Sequence, residues 1–226
     1  FAVIIDPEDN ADNPYGVLSE HEAVCVGYAT TFRLFMQMLE IPCMVVHSDS
    51  LIHSWDLVQI DGDWYHIDLY SDAYGYPTYE HLNITDDMMS ESGYEWDRNF
   101  YPAADSMTYN YAYANSSLLE SVYDLPGAIR PLLDEYHSVT GFRIEGISDN
   151  DQAIAEEIMS IIQDRLWGTF EPPYNNVDMN YTVSDVPGES TLLIQTAIFN
   201  YDLESDNTSS GIIEDDLSLD PLDDEE

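Results

Sequence analysis

Apolar side chains recur along this chain with two periods, and the points where the period changes divide it into elements. From Ala23 to Leu39, the residues Cys25, Ala29, Phe32, Phe35, Met36 and Leu39 fall at three- and four-residue steps, which predicts a buried helix starting near the cysteine. Glu40-Ile41-Pro42 ends it. Cys43 to His47 is a short apolar run and Leu51 to Ile60 alternates, so both predict strands. Asp61-Gly62 then stands between Ile60 and a third run, Asp63 to Tyr70, and this dipeptide is the strongest short-range hairpin signal. Ahead of the helix, Phe1 to Ile5 reads as an extended apolar start, followed by turn signals at Asp6-Pro7 and Asn13-Pro14. Ser71 to Ala114 is rich in Tyr, Asp, Asn and Pro without a clean period, and reads as a long irregular connection wrapped on the core.

A second organisation begins near Ser116. Leu118 to Val122 and Ala128 to Tyr136 look helical, and Gly141 to Ile147 looks like a strand. Asp149 to Trp167 predicts an amphipathic helix with Ile154, Ile158, Ile161, Ile162 and Leu166 on one side and Asp149 or Asn150 as its cap. Val177 to Val183 and Thr191 to Tyr201 alternate as strands. The expected division is a domain over 1–115, a small β-α-β-β module over 116–203 and an acidic tail over 204–226. The tail lacks the central glycine of a calcium loop and reads as a solvated terminus without an assigned function.

Composition changes this picture in one respect. With 226 residues, 44% hydrophobic and 12% aromatic, the chain has enough apolar matter for a real core. Its charge is unusual: 45 acidic side chains face 5 basic ones for a formal net charge of -40, every basic residue is arginine, and there is no lysine. On the order of ten lysines would be ordinary at this length. Salt adaptation, selection in a cross-linking enzyme against offering its own amines, and lysines lost from the sequence through chemical modification are the three explanations. Such acidity argues against nucleic acid as a partner, because no basic surface neutralises phosphates. No apolar run approaches the roughly 20 residues that span a bilayer, and a chain opening on Phe1 reads as trimmed or processed. Two cysteines, Cys25 and Cys43, are too few for a disulfide framework or a cysteine-rich zinc site. Cys43, inside an apolar strand, reads as core filling, and His21, His47, His66, His81 and His137 show no metal-ligand spacing.

The chemistry starts from Cys25. A thiol at a helix N-terminus is acidified by the dipole and by free backbone N–H groups, which can also hold an oxyanion; Gly27 then leaves room for a substrate carbonyl. Alone, a cysteine there is more often core filling. The hairpin adds a partner. With Asp61-Gly62 as a two-residue loop, Trp55 faces Asp68 and His53 faces Tyr70, so His53 and Asp68 are diagonal neighbours, about 7 Å apart between Cα atoms, on the face that carries Trp55, Leu57, Trp64 and His66. A carboxylate on an aromatic face needs a partner, and a histidine bonded to it is held in one tautomer with its other nitrogen open to the thiol proton. The plain alternative is a buried polar pair.

Four strings together resemble the transglutaminase-like superfamily: Ala23-Val24-Cys25-Val26-Gly27-Tyr28-Ala29, Ile41-Pro42-Cys43, His53-Ser54-Trp55-Asp56-Leu57-Val58 and Asp61-Gly62-Asp63-Trp64-Tyr65-His66-Ile67-Asp68. Its members run Cys-x-Gly-Tyr-Ala at the nucleophile, His-Ala-Trp-Asn at the base and Gly-x-Trp-Tyr-x-x-Asp at the third position. Ser54 stands where alanine is usual, and Leu69-Tyr70 replaces a common Thr-Trp. Trp96-Asp97-Arg98 with Tyr101-Pro102 resembles the stretch that closes the domain in the bacterial branch. The second half resembles no family.

The resemblance implies an α+β fold with a papain-like core, in which the helix bearing Cys25 packs on an antiparallel sheet. It implies Cys25 as nucleophile, His53 as acid/base and Asp68 as the group orienting the histidine, with Tyr28, Trp55 and Val26 as candidates for substrate binding or oxyanion support. Neither metal nor cofactor is expected. The expected partner is a protein or peptide amide, cell-wall peptides among them, at an extracellular or cell-surface location, with the cytoplasm as the alternative. In relatives helices precede the cysteine segment, so an upstream portion carrying the oxyanion side chain is expected to be missing. The competing reading is a catalytically silent cell-surface binding module. Oligomeric state does not follow from the sequence.

Overall fold

The computed structural model describes residues 2–3, 10–73, 78–148, 150–167 and 176–206. The protein is a mixed α+β fold with two four-stranded sheets and several helices. Near the start, β1 (Ala2–Val3) lies parallel to β2 (Glu22–Ala23). The expected turn at Asp6-Pro7 lies outside the described residues. Helix α1 (Cys25–Met38) follows at once, beginning on the cysteine as the periodicity predicts. Leu39 closes it with its N–H on the Phe35 and Met36 carbonyls.

Strands β3 (Cys43–Ser48), β4 (His53–Ile60) and β5 (Asp63–Ile67) form an antiparallel sheet. Ile60 pairs with Asp63 across the predicted two-residue turn, in which Asp61 and Gly62 have φ of 51° and 100°, the positive values a type I′ turn demands. Two boundaries differ from the sequence reading. Leu51 and Ile52 belong to the turn before β4, and the returning strand stops at Ile67. It stops because Asp68 caps the short helix α2 (Leu69–Ala73): its carboxylate accepts the Ser71 N–H at 3.1 Å and its carbonyl the Asp72 N–H. Tyr70 is therefore helical and does not face His53 across a ladder.

β4 is the central strand, buried on both faces. Val58, with Tyr65 and Ile67 of β5, meets Phe32 and Met36 of α1. Val46, Trp55 and Leu57 form the opposite core with Met88, Met89 and Trp96. Full burial of side chains of this kind is worth about 1.5–3 kcal/mol each. The stretch read as irregular supplies much of that second wall: β6 (Leu82–Ile84) extends the sheet, α3 (Asp86–Glu91) starts on a Thr85 cap, and α4 (Tyr111–Ala114) starts on an Asn110 cap. Elements of three to six residues are too short to express a period.

The second half keeps the expected β-α-β-β order and adds one strand ahead of it. Ser116–Leu119, whose last two residues open the segment Leu118 to Val122 read as helix, is strand β7, parallel to β8 (His137–Glu145). Between them a 3-10 turn at Val122–Asp124 leads into α5 (Leu125–Ile129) and a further 3-10 turn at Arg130–Asp134, where Pro131 has no N–H to continue the helix. Helix α6 (Asp151–Trp167) crosses to β9 (Val177–Asp185) and β10 (Thr191–Asn200), giving sheet order β7-β8-β10-β9. Of its two expected caps, Asp149 lies outside the described residues and Asn150 gives only its carbonyl, to Ile154 N–H; Asp151 instead reaches back to the Ser148 N–H and hydroxyl. Ala155, Met159 and Leu166 face the sheet, whereas Ile161, expected on that side, is 46% exposed. All of β10 is buried, because α6 covers one face and the first half the other: Leu193 and Val186 join the Trp55 cluster, and Gln195 donates to the Thr78 carbonyl. The tail beyond Asp206 lies outside the described residues.

Candidate active site

Three elements bring the candidate residues together: the first residue of α1, the first residue of β4 and the cap of α2. His53 Nε2 lies 2.6 Å from Asp68 Oδ2. A carboxylate only accepts, so Nε2 carries a proton and Nδ1 is the nitrogen left for the thiol. Asp68 is 1% exposed and holds its charge through four donors: His53, the Ser71 N–H at 3.1 Å, the Ser71 hydroxyl at 2.8 Å and the Tyr94 hydroxyl at 2.6 Å. Burial alone would raise its pKa; the hydrogen bond and charge of His53, then Tyr94 and Ser71, pull it below the usual carboxylate value.

The same balance acts on the other two groups. Burial opposes a charged His53, but its bonds and charge interactions with Asp68 and Cys25 prevail and raise its pKa to about 9. Burial likewise opposes a Cys25 thiolate, yet the hydrogen bond to His53, the Ser54 N–H, the imidazolium charge and the Val26 N–H bring the thiol below its ordinary pKa. Both shifts favour the thiolate and imidazolium forms of the pair. Cys43 is the contrast: burial and the neighbouring Asp56 carboxyl, 3.5 Å away, push its thiol far up.

A cavity of about 430 Å³ opens over Cys25 and His53, walled by Val24, Val26, Ile52 and Tyr70 with His47 and Ser54. Val26 thus lies at the site. Tyr28 does not line the cavity; its ring packs edge-on against Tyr70 at 5.8 Å, and its buried hydroxyl has no hydrogen-bond partner among the described residues. Trp55 lies behind the histidine, 1% exposed and stacked on it at 6.0 Å, with its indole N–H on His66 Nδ1 at 2.9 Å. That bond fixes the neutral tautomer of His66, whose Nε2–H reaches Asp86 at 2.8 Å. Gly27 gives no room to a substrate. A Cβ there would lie 2.3 Å from the Ala11 carbonyl oxygen, so the glycine lets the N-terminal segment dock on α1.

Neither a known family model nor any curated protein matches the chain. The site is thus understood from its own geometry. Two members escaped the sequence reading. Ser71 had a local signal, three residues after an aspartate that begins a helix. Tyr94 is placed by the end of α3: Gly93, at φ 87°, turns the chain so that Tyr94 N–H bonds the Met89 carbonyl and Gly93 N–H that of Ser90, a Schellman stop. Ser-Gly-Tyr after a short helix was the available clue. Trp96, singled out with Arg98, packs its ring against Trp55 and His66 at 5.9 and 4.7 Å, with the Arg98 guanidinium over it at 4.8 Å. Among the described residues no cluster of His, Cys, Asp and Glu is arranged to hold a metal ion, and no helix is long and apolar enough to cross a membrane.

Proposed function

We propose that this chain is a thiol enzyme on a papain-like, transglutaminase-like core that transfers acyl groups from protein or peptide amides. The 2.6 Å bond between His53 and a buried Asp68 that Ser71 and Tyr94 also hydrogen-bond, with a thiol acidified by that same histidine, is the observation that carries the reading. The Cys25 thiolate attacks the amide carbonyl and forms a C–S bond. The oxyanion is met by backbone N–H groups near the sulfur, Val26 and Ser54 being the donors at hand. The C–N bond breaks as His53 passes its Nδ1 proton to the leaving amine. His53 then takes a proton from water or an acceptor amine, which attacks the thioester, and the acyl group departs with the thiolate restored. Cell-wall and other extracellular peptides are the substrate class that the family resemblance favours, at an extracellular or cell-surface location.

Iodoacetamide at pH 7 is expected to alkylate Cys25 about 100-fold faster than Cys43, read by peptide mass mapping. Cys25→Ala removes the fast phase and all labelling by a thiol-directed acyl probe. Equal slow labelling of both thiols, or loss of labelling only in Cys43→Ala, would sink the proposal. Turnover is expected to fall above about pH 9, where His53 loses the proton needed by the leaving group. Tyr94→Phe, which removes one of the donors to Asp68, is expected to lower kcat about 10-fold with KM nearly unchanged. An unchanged kcat would make that tyrosine a packing residue only.

A further inference from the structure

The turn between β3 and β4 holds a residue that the fold gains nothing by keeping. Ile52 has φ of 51°, in the left-handed region where a β-branched side chain crowds its own backbone. Asn10, His21, Glu40, Asp61, Tyr79 and Asn83 are the other non-glycine residues with positive φ among those described, and none is β-branched. Asparagine or glycine takes this conformation at little cost. Packing does not repay the strain either, since Ile52 is 85% exposed. The turn around it is well formed: Ser48 Oγ accepts the Leu51 N–H at 3.4 Å, and Ser50 donates to Glu95 at 3.0 Å. A strained, exposed, apolar side chain held by an ordered turn is the pattern expected where the strain serves a site.

Its position says which site. Ile52 directly precedes His53 and walls the cavity that opens over Cys25 and His53; the rest of the wall is Val24, Val26 and Tyr70, with His47 and Ser54 as polar neighbours. In a chain with 45 acidic residues among 226, no carboxylate lines this cavity among the described residues. A cationic side chain would find no carboxylate in this wall, since Asp49, 3.3 Å from His47, is itself fully exposed to solvent, and an anionic one would meet a strongly negative protein. An apolar side chain beside the scissile amide fits.

We propose that Ile52 is a specificity-determining residue that packs against an apolar side chain of the acyl donor and so sets which peptide amides reach Cys25. The inference rests on the thiol acyl-transfer reading of Cys25. Two peptidyl acyloxymethyl ketones that differ only in leucine or glycine next to the electrophile test it on the full chain, with second-order labelling rates at Cys25 read by mass spectrometry. In the wild type the leucine probe is expected to react at least about 10-fold faster than the glycine probe. In Ile52→Asn and Ile52→Gly that ratio falls to within about 3-fold, while the thermal unfolding midpoint holds or rises as the strain is relieved. No leucine preference in the wild type, or a preference retained in both variants, overturns the inference. So does a drop in unfolding temperature in both variants, which would make Ile52 a residue of the fold. The underlying reading fails separately: a wild-type Cys25 that iodoacetamide labels no faster than Cys43 removes the acyl chemistry itself.

Discussion

Asp68→Asn is expected to lower kcat for acyl transfer by about 10³–10⁴-fold while the protein stays folded. The reason lies in the proton inventory around His53. Asp68 now accepts four hydrogen bonds and has no proton to give, so the histidine must present Nε2–H to it. An asparagine can turn its N–H₂ toward the ring, and His53 then accepts at Nε2 and carries its proton on Nδ1, the nitrogen that has to receive the thiol proton. The charge changes too. Without the Asp68 carboxylate, burial of His53 is opposed only by Cys25, its pKa falls from about 9, and the thiol loses the imidazolium that acidifies it. Alkylation of Cys25 at pH 7 should therefore slow together with turnover. Asparagine caps helices as well as aspartate does, so α2 keeps its Ser71 N–H bond and a change in unfolding midpoint should be small. A variant that keeps turnover within about 10-fold of wild type would show that Asp68 is a structural partner and nothing more.

The candidate triad was legible because each member sits where a local rule applies. Cys25 opens a strongly periodic helix, and Asp61-Gly62 sets a register that carries His53 and Asp68 to one side of β4 and β5. The same rule overshot by three residues, since it extended β5 through Tyr70 and missed that an aspartate at the end of a strand also caps a helix. Ile161 was placed inward by spacing, but α6 turns Ala155, Met159 and Leu166 to the core and leaves Ile161 exposed. The strand at Ser116–Leu119 could not be read from four residues, because what makes it a strand is the edge of β8, which is remote in sequence. Tyr94 reaches Asp68 across 26 positions, and no local pattern reports such a contact. Local rules thus found the candidate residues, and tertiary contacts supply what holds them.

Asp56→Asn is expected to stabilise the protein by on the order of 5 kcal/mol at pH 8 and by almost nothing near pH 4. Asp56 is 2% exposed in the middle of the central strand, paired with Val45 of β3 and Ile67 of β5. Burial, and after it the negative charge of Asp68, raise its pKa from 3.8 to about 8 against the opposing pull of the Cys43 hydrogen bond and the Arg33 charge. Because the folded value lies above the unfolded one, the folded protein keeps a proton between about pH 4 and 8 that the unfolded chain has already lost. Stability therefore declines as pH rises through that window, and the whole penalty is present above it. Asparagine resembles the protonated acid in shape, accepts the Cys43 thiol through its carbonyl oxygen and never ionises. His53, with its own raised pKa, adds a decline of the same sign between about pH 6.5 and 9, but it is common to both proteins and cancels in their difference. Denaturant unfolding of wild type and variant from pH 4 to 9 measures that difference directly. A gap that stays flat with pH, or a variant less stable than wild type at pH 8, would mean that Asp56 is ionised in the fold. The buried acid would then be a second charge beneath the triad, held by Arg33, and His53 would owe part of its basicity to it.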